Sequence, residues 1–191
     1  MEPIIYALAG AATVLGATWA RERFADFRAQ RPEDYASHQG EAFDLRRHLN
    51  GALICEGVIY GPTGRVTSRF VGDFLAEWQG NRGVMREVFR YDSGAEQRRE
   101  WRLDLGNDGR ITAMADDVVG AGSGWQKGPT VQLLYRLRLP QDAGGHVLDT
   151  TDWMYLAPNG SIMNRSQFRK FGIKVAELVA TMRPVTPQVS A

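Results

Sequence analysis

The chain has 191 residues, 43% hydrophobic and 24% charged, which suffices for one globular domain with a sizeable core. Its formal net charge is +1 and its arginines are interleaved with acids, which excludes the basic stripe that nucleic-acid binding requires. The single cysteine, Cys55, excludes an intrachain disulfide framework, and inside an apolar run it reads as a small buried side chain rather than a reactive thiol.

The stretch Pro3 to Ala20 carries no charge. As a helix rising ~1.5 Å per residue it nearly spans a bilayer core of ~30 Å. Three readings fit it. One is an uncleaved membrane anchor. The second is a cleaved signal ending at Thr18-Trp19-Ala20, although its n-region holds Glu2 and no Lys or Arg. The third is a buried or interfacial helix. Arg21, Arg23, Arg28 and Arg31 follow the segment, and the positive-inside rule keeps that side in the cytoplasm. The helix is expected to run through "RERFADFRAQ" and to stop at Arg31-Pro32, because proline disfavours helical geometry in the residue before it. The expected organisation is a hydrophobic helix over 1–31, a linker over 32–42, a barrel over 43–184 and a tail over 185–191.

From Gly51 onward, turn chemistry recurs at fairly even intervals: Gly61 to Gly64, Gly80 to Gly83, Asp92 to Gly94, Asn107 to Gly109, Gly120 to Gly128, Asp142 to Gly145 and Pro158 to Gly160. Runs rich in Val, Ile, Phe, Tyr, Trp and Thr separate them. This pattern predicts an all-β protein, a single up-and-down antiparallel barrel of about 8–10 strands. "FRKFG" at Phe168 to Gly172 is expected to be a helical turn at the barrel mouth, or else part of a cationic rim with Arg165, Arg169 and Lys170.

Side-chain parity separates the two faces of each strand. In "EQRREWRLDL" every even position is charged, so Arg99, Trp101, Leu103 and Leu105 point inward. In "VMREVFRY" the inward set includes Met85, Glu87 and Phe89, and in "RITAMADDVV" it includes Ala113, Ala115 and Asp117. In "TVQLLYRLRL" it includes Tyr135.

Loop length then fixes register. Asp92-Ser93-Gly94 and Asn107-Asp108-Gly109 suit three-residue loops with glycine in the left-handed position. The first sets Glu87 opposite Arg99, and the second sets Arg99 opposite Asp117. A one-residue slip would break this inward row, because it turns every side chain to the other face. The loop Pro158-Asn159-Gly160 pairs Leu156 with Ile162 and Met154 with Asn164, so Asp152, Met154 and Asn164 also share the inner wall.

The segments "MREVFRYDSG", "RREWRL", "MADDVVGAGSG", "TDWMYL" and "MNRSQFRKFGIKVAELVATMRP", in this order, resemble the bacterial family catalogued as domain of unknown function 3833 (DUF3833). The resemblance covers about Phe43 to Pro184. The family's pattern falls on Gly57, Gly64, Phe70, Glu87, Phe89, Arg99, Trp101, Ala115, Asp117, Gly120, Tyr135, Asp152, Trp153, Asn164, Lys170 and Gly172. The chain departs from it at Gly128-Pro129-Thr130, where relatives have Gly-Asn-Ala, and at Thr151, where relatives carry a second acid beside Asp152. The resemblance implies a lipocalin-like barrel and no established activity. Many relatives look like lipoproteins, which implies the periplasm, but the lipid-bearing cysteine is missing here. Relatives often sit near genes resembling lipid-modifying enzymes, an association that points towards lipid chemistry.

Three functions compete. The first is a barrel that binds a small hydrophobic or lipid ligand with an acidic head, associated with the membrane through the N-terminal helix. Glu87, Phe89, Arg99, Trp101, Ala115, Asp117, Tyr135, Asp152, Met154 and Asn164 would be its ligand-binding residues, with Arg99 the natural partner of a carboxylate or phosphate. The second is an enzyme or accessory factor in lipid modification that uses the inward acids. The third is a barrel filled by its own side chains, in which Glu87, Arg99 and Asp117 form a self-satisfied network and Trp101 and Trp153 pack the core. No catalytic set, nucleotide fingerprint or cofactor motif stands out, and His38, His48 and His146 lack metal-ligand spacing.

Overall fold

A computed structural model describes residues 2–185; residues 186–191, most of the expected tail, lie outside the described residues. Helix α1 spans Glu2–Phe24 and none of its residues is buried. It is long and apolar enough to cross a membrane, by length and composition. It ends about two turns earlier than the sequence suggests. Phe27 packs into the barrel wall in a short 3-10 turn, Phe27–Ala29, and the chain must leave the helix axis to put it there.

Ten strands follow: β1 (Gly51–Tyr60), β2 (Val66–Gln79), β3 (Arg82–Tyr91), β4 (Glu96–Leu105), β5 (Arg110–Met114), β6 (Gly122–Lys127), β7 (Thr130–Arg138), β8 (Val147–Leu156), β9 (Ile162–Lys170) and β10 (Ile173–Pro184). Each pairs antiparallel with its chain neighbours, and β1 pairs with β10, so the sheet closes and leaves no edge. Burial alternates along the strands, most clearly in β2 and β5.

The three-residue loops behave as their sequences require. Tyr91 N–H donates to the Ala95 carbonyl, Gly106 N–H to Arg110 and Ala157 N–H to Ser161, with Gly94, Gly109 and Gly160 at positive φ.

Two segments differ from expectation. The glycine-rich stretch 120–128 contains strand β6. Gly122 and Gly124 are there because β6 and β7 approach closely: a Cβ on Gly124 would lie 2.1 Å from the Gln132 carbonyl oxygen. Gly124→Ala is therefore expected to destabilise the protein by about 1–3 kcal/mol, as a lower urea midpoint at unchanged slope. The second segment, "FRKFG", is not helical. Phe168 to Lys170 complete β9, and Phe171-Gly172 form a two-residue hairpin turn with φ of 52° and 80°. Positive φ at both central positions matches the right-handed twist of the flanking strands.

Residues 27–43 lie along the outer wall and are no free connection. Tyr35 packs on Trp153, its ring centroid 5.5 Å away, and the hydroxyls of Tyr35 and Tyr155 both donate to Gln30 Oε1. Further along, a one-turn helix α2 (Leu45–His48) closes one end of the barrel. Phe43, Leu45 and Leu49 are almost wholly buried there, and Trp78 Nε1 donates to the Leu49 carbonyl at 2.7 Å.

Candidate functional site

The barrel encloses a cavity of about 760 Å³. Small-molecule sites occupy roughly 300–1,000 Å³. Leu45 and Leu49 form its floor. Ala95, Glu96, Asp142 and His146 line its other end, and all four are exposed, so the cavity opens between the β3–β4 and β7–β8 connections. The wall is mostly apolar, with Phe70, Phe74, Met85, Leu133, Met154 and Met182 among the side chains that face it.

A polar belt crosses this wall. Glu87 and Arg99 are register partners on β3 and β4. Strand β5 ends at Met114, short of Asp117, yet the Asp117 side chain still reaches Arg99: Nε and Oδ2 are 2.7 Å apart. The N–H of Nε does not point along that line, so the contact is an ion pair without a directed hydrogen bond. The guanidinium stacks on Trp101, 4.2 Å from its ring centroid, and Trp101 meets Tyr135 edge to face. Arg99 Nη2, Glu87 Oε2 and Asp117 Oδ1 are buried and find no hydrogen-bond partner in the protein. Glu87 is not within ion-pair distance of Arg99 among the described contacts, so the row is assembled but only half paired.

Across the cavity, Asp152 Oδ1 accepts from Asn164 Nδ2 at 2.5 Å and from Ser166 Oγ at 2.8 Å. Asn164 also donates to the Trp153 carbonyl at 3.0 Å. Met154 and Asn164 are register partners, as the Pro158-Asn159-Gly160 loop demands.

Burial dominates the electrostatics. It pushes the Glu87 carboxyl up to about 7, with Arg99 opposing and the Asp152 and Asp117 carboxylates adding to the rise. Asp152 is raised by burial too, against the hydrogen bonds from Ser166 and Asn164. Burial also raises the Tyr135 hydroxyl and the Cys55 thiol, so Cys55, although it faces the cavity, is no nucleophile. For Arg99 burial works against the charge, and Tyr135, Glu87 and Asp117 more than offset it.

Of the ten candidate residues, nine line the cavity: Glu87, Phe89, Arg99, Trp101, Asp117, Tyr135, Asp152, Met154 and Asn164. Ala115 does not; it is buried in the wall and leaves no open space in front of it. Trp153 faces outward and owes its complete burial to the covering segment. Ser166 is the polar neighbour that the sequence reading missed; its inward parity with Asn164 was the available signal. Arg165 and Lys174 are bound to Glu177, and Arg169 to Gln167 and the Gly172 carbonyl, so these cations do not form a free rim. Among the described residues, no group of three or more His, Cys, Asp or Glu is placed to hold a metal ion.

A closed ten-stranded up-and-down barrel with a cavity of ligand size is a lipocalin-like protein. The chain belongs to the family described as Protein of unknown function (DUF3833), whose model matches residues 23–184. Among solved structures it is similar to the S-type phycobiliprotein lyase CPES from Guillardia theta, with a TM-score of 0.56 and 8% identity over 83% of this chain and 99% of that one. At that identity the likeness is one of fold. A protein with a YmcC-like fold from Bacteroides fragilis matches at a TM-score of 0.34 and 11% identity, over 69% of this chain and 94% of that one. A search of curated proteins finds no match.

Proposed function

We propose that the protein is a membrane-associated carrier whose cavity holds an acyl lipid with an acidic head group. The observation that carries this reading is the half-paired Arg99 within an apolar cavity of about 760 Å³. A buried guanidinium with an unpartnered Nη2 is an anion receptor: its planar donors match a carboxylate or phosphate, and the stacked Trp101 fixes their orientation. The apolar wall suits the chain of such a lipid. Helix α1 supplies the membrane anchor in this reading. A self-filled barrel would leave no such space and would pair its arginine.

The test is native mass spectrometry of the full chain in mild detergent, with organic extraction of what is bound. A stoichiometric acyl lipid is expected. Met154→Trp, which fills the cavity, is expected to abolish it while the circular dichroism spectrum is unchanged. A protein that carries no lipid, or a lipid equally retained by Met154→Trp, would overturn the reading.

One observation favours a second reading, that of a lipid-modifying enzyme. Glu87 titrates near neutrality in a cavity that also holds Asp152, which suits proton transfer. It requires that the extracted lipid change mass on incubation with the protein and that Glu87→Gln stop the change.

A further inference from the structure

The open end of the barrel carries apolar groups that none of the described residues covers. Phe171, at the tip of the β9–β10 hairpin, is 90% exposed, and Ile173 is 70% exposed. Phe171 is also the non-glycine residue held at positive φ among the described residues, where Asn or Gly would sit with less strain. The ring buries little within the chain, and the Lys170 ammonium lies 5.6 Å from its centroid.

The C-terminal end of α1 adjoins the same hairpin. Arg21, Glu22 and Asp26 share a surface groove with Phe171, Ile173 and Lys174. At this end of α1, Trp19 and Phe24 are exposed and pack edge to face, with centroids 6.2 Å apart. From there the chain descends the outer wall to the closed floor, so α1 departs from the barrel at its open end. An apolar helix whose last turn carries Arg21 and Arg23 between exposed Trp19 and Phe24 has the make-up of a membrane interface. Lys170 stands beside it at the cavity rim, its Nζ 2.8 Å from His146 Nδ1.

We propose that this open end is a docking face for a bilayer containing acidic phospholipids. The Phe171–Ile173 hairpin inserts at the headgroup level, Arg21, Arg23 and Lys170 meet lipid phosphates, and the cavity exchanges its lipid directly with the membrane. The exchange step rests on the carrier reading above; the docking geometry does not. Each basic side chain near an acidic surface strengthens adsorption, and the aromatic tips set its depth.

Depth can be measured on the full chain in vesicles of phosphatidylethanolamine and phosphatidylglycerol. An environment-sensitive fluorophore is attached through Phe171→Cys or, at the closed end, through Asn159→Cys. Cys55, buried and with its thiol pushed up, stays unlabelled. Brominated lipids are expected to quench the first label and not the second. An aqueous label at position 171, or equal quenching at both, would overturn the docking face. The exchange step is tested with Phe171→Asp/Ile173→Asp and the fluorescent fatty acid cis-parinaric acid. Its transfer from vesicles into the protein is expected to slow at least about tenfold, while its affinity without vesicles is unchanged. Unchanged transfer would overturn direct exchange. If cis-parinaric acid does not bind at all, the carrier reading fails and the exchange step with it, while the quenching result still decides the docking face.

Discussion

Glu87→Gln is expected to make the protein more stable at pH 8, by about 3 kcal/mol, and to leave stability at pH 4 unchanged. Glu87 is 5% exposed, and burial lifts its carboxyl from 4.5 to about 7 in the fold. A folded-state value above the unfolded one means that the native protein holds the proton more tightly. The stability this contributes is fully present below about pH 4.5. Stability is lost as the pH rises through about 7, because the unfolded chain releases the proton without cost and the folded chain must ionise a buried group. At about 1.36 kcal/mol per pH unit, that window amounts to about 3 kcal/mol. Glutamine imitates the protonated form at every pH, so the difference between the two proteins opens across this window and then stays constant. For a chain of this size it corresponds to a shift in Tm of about 6–10 °C. Thermal unfolding of both proteins from pH 4 to pH 9 measures it. A difference independent of pH would mean that Glu87 is ionised throughout and fully compensated by Arg99.

Much of this site is legible in the sequence because short loops carry register. Asp92-Ser93-Gly94 admits one loop geometry, and that geometry sets Glu87 against Arg99 without any knowledge of the rest of the barrel. The same logic sets Met154 against Asn164. It reaches Asp117 too, although the ladder stops at Met114 and the chain turns over Ala115 to Val118, because the Asp117 side chain still extends to Arg99. What local pattern does not carry is contact between distant segments. Nothing near Gly122 and Gly124 says that β7 needs their missing side chains, so β6 reads as loop. The wall covering over residues 27–43 is invisible for the same reason. One clue to it existed: Trp153 lies between inward Asp152 and Met154, so it must face out, and an outward tryptophan at the middle of a strand calls for something to cover it. The cavity was implied by strand number, but its polar inventory depends on which side chains find partners. Only the positions of Arg99 and Asp117 show that the row is not self-satisfied.

Arg99→Met separates the two roles this incomplete pairing creates. Removal of the guanidinium leaves Glu87 and Asp117 without their cation, and stranding one partner of a buried pair costs roughly 3–5 kcal/mol. Asp117 recovers part of this through water, because its side chain is 25% exposed, whereas Glu87 recovers it only by taking up a proton. The loss is therefore expected to be greatest above pH 7 and to shrink in acid. Glu87→Gln/Arg99→Met should regain most of the stability at pH 8, since it removes the stranded charge as well as the cation. Ligand binding should follow the opposite pattern. Both proteins lack the anion receptor, so both should bind cis-parinaric acid about 10–100-fold more weakly than the parent, the range that hydrogen bonds to a charged group contribute. Glu87→Gln alone should bind at least as tightly as the parent, because it removes a buried carboxylate that repels an anion bound at Arg99. Urea unfolding at pH 6 and 8 gives the stabilities, and fluorescence titration gives the affinities. A double variant that regains binding along with stability would show that Arg99 serves the fold alone and that the head-group anchor must be sought elsewhere on the cavity wall, first at the Asn164 and Ser166 donors around Asp152.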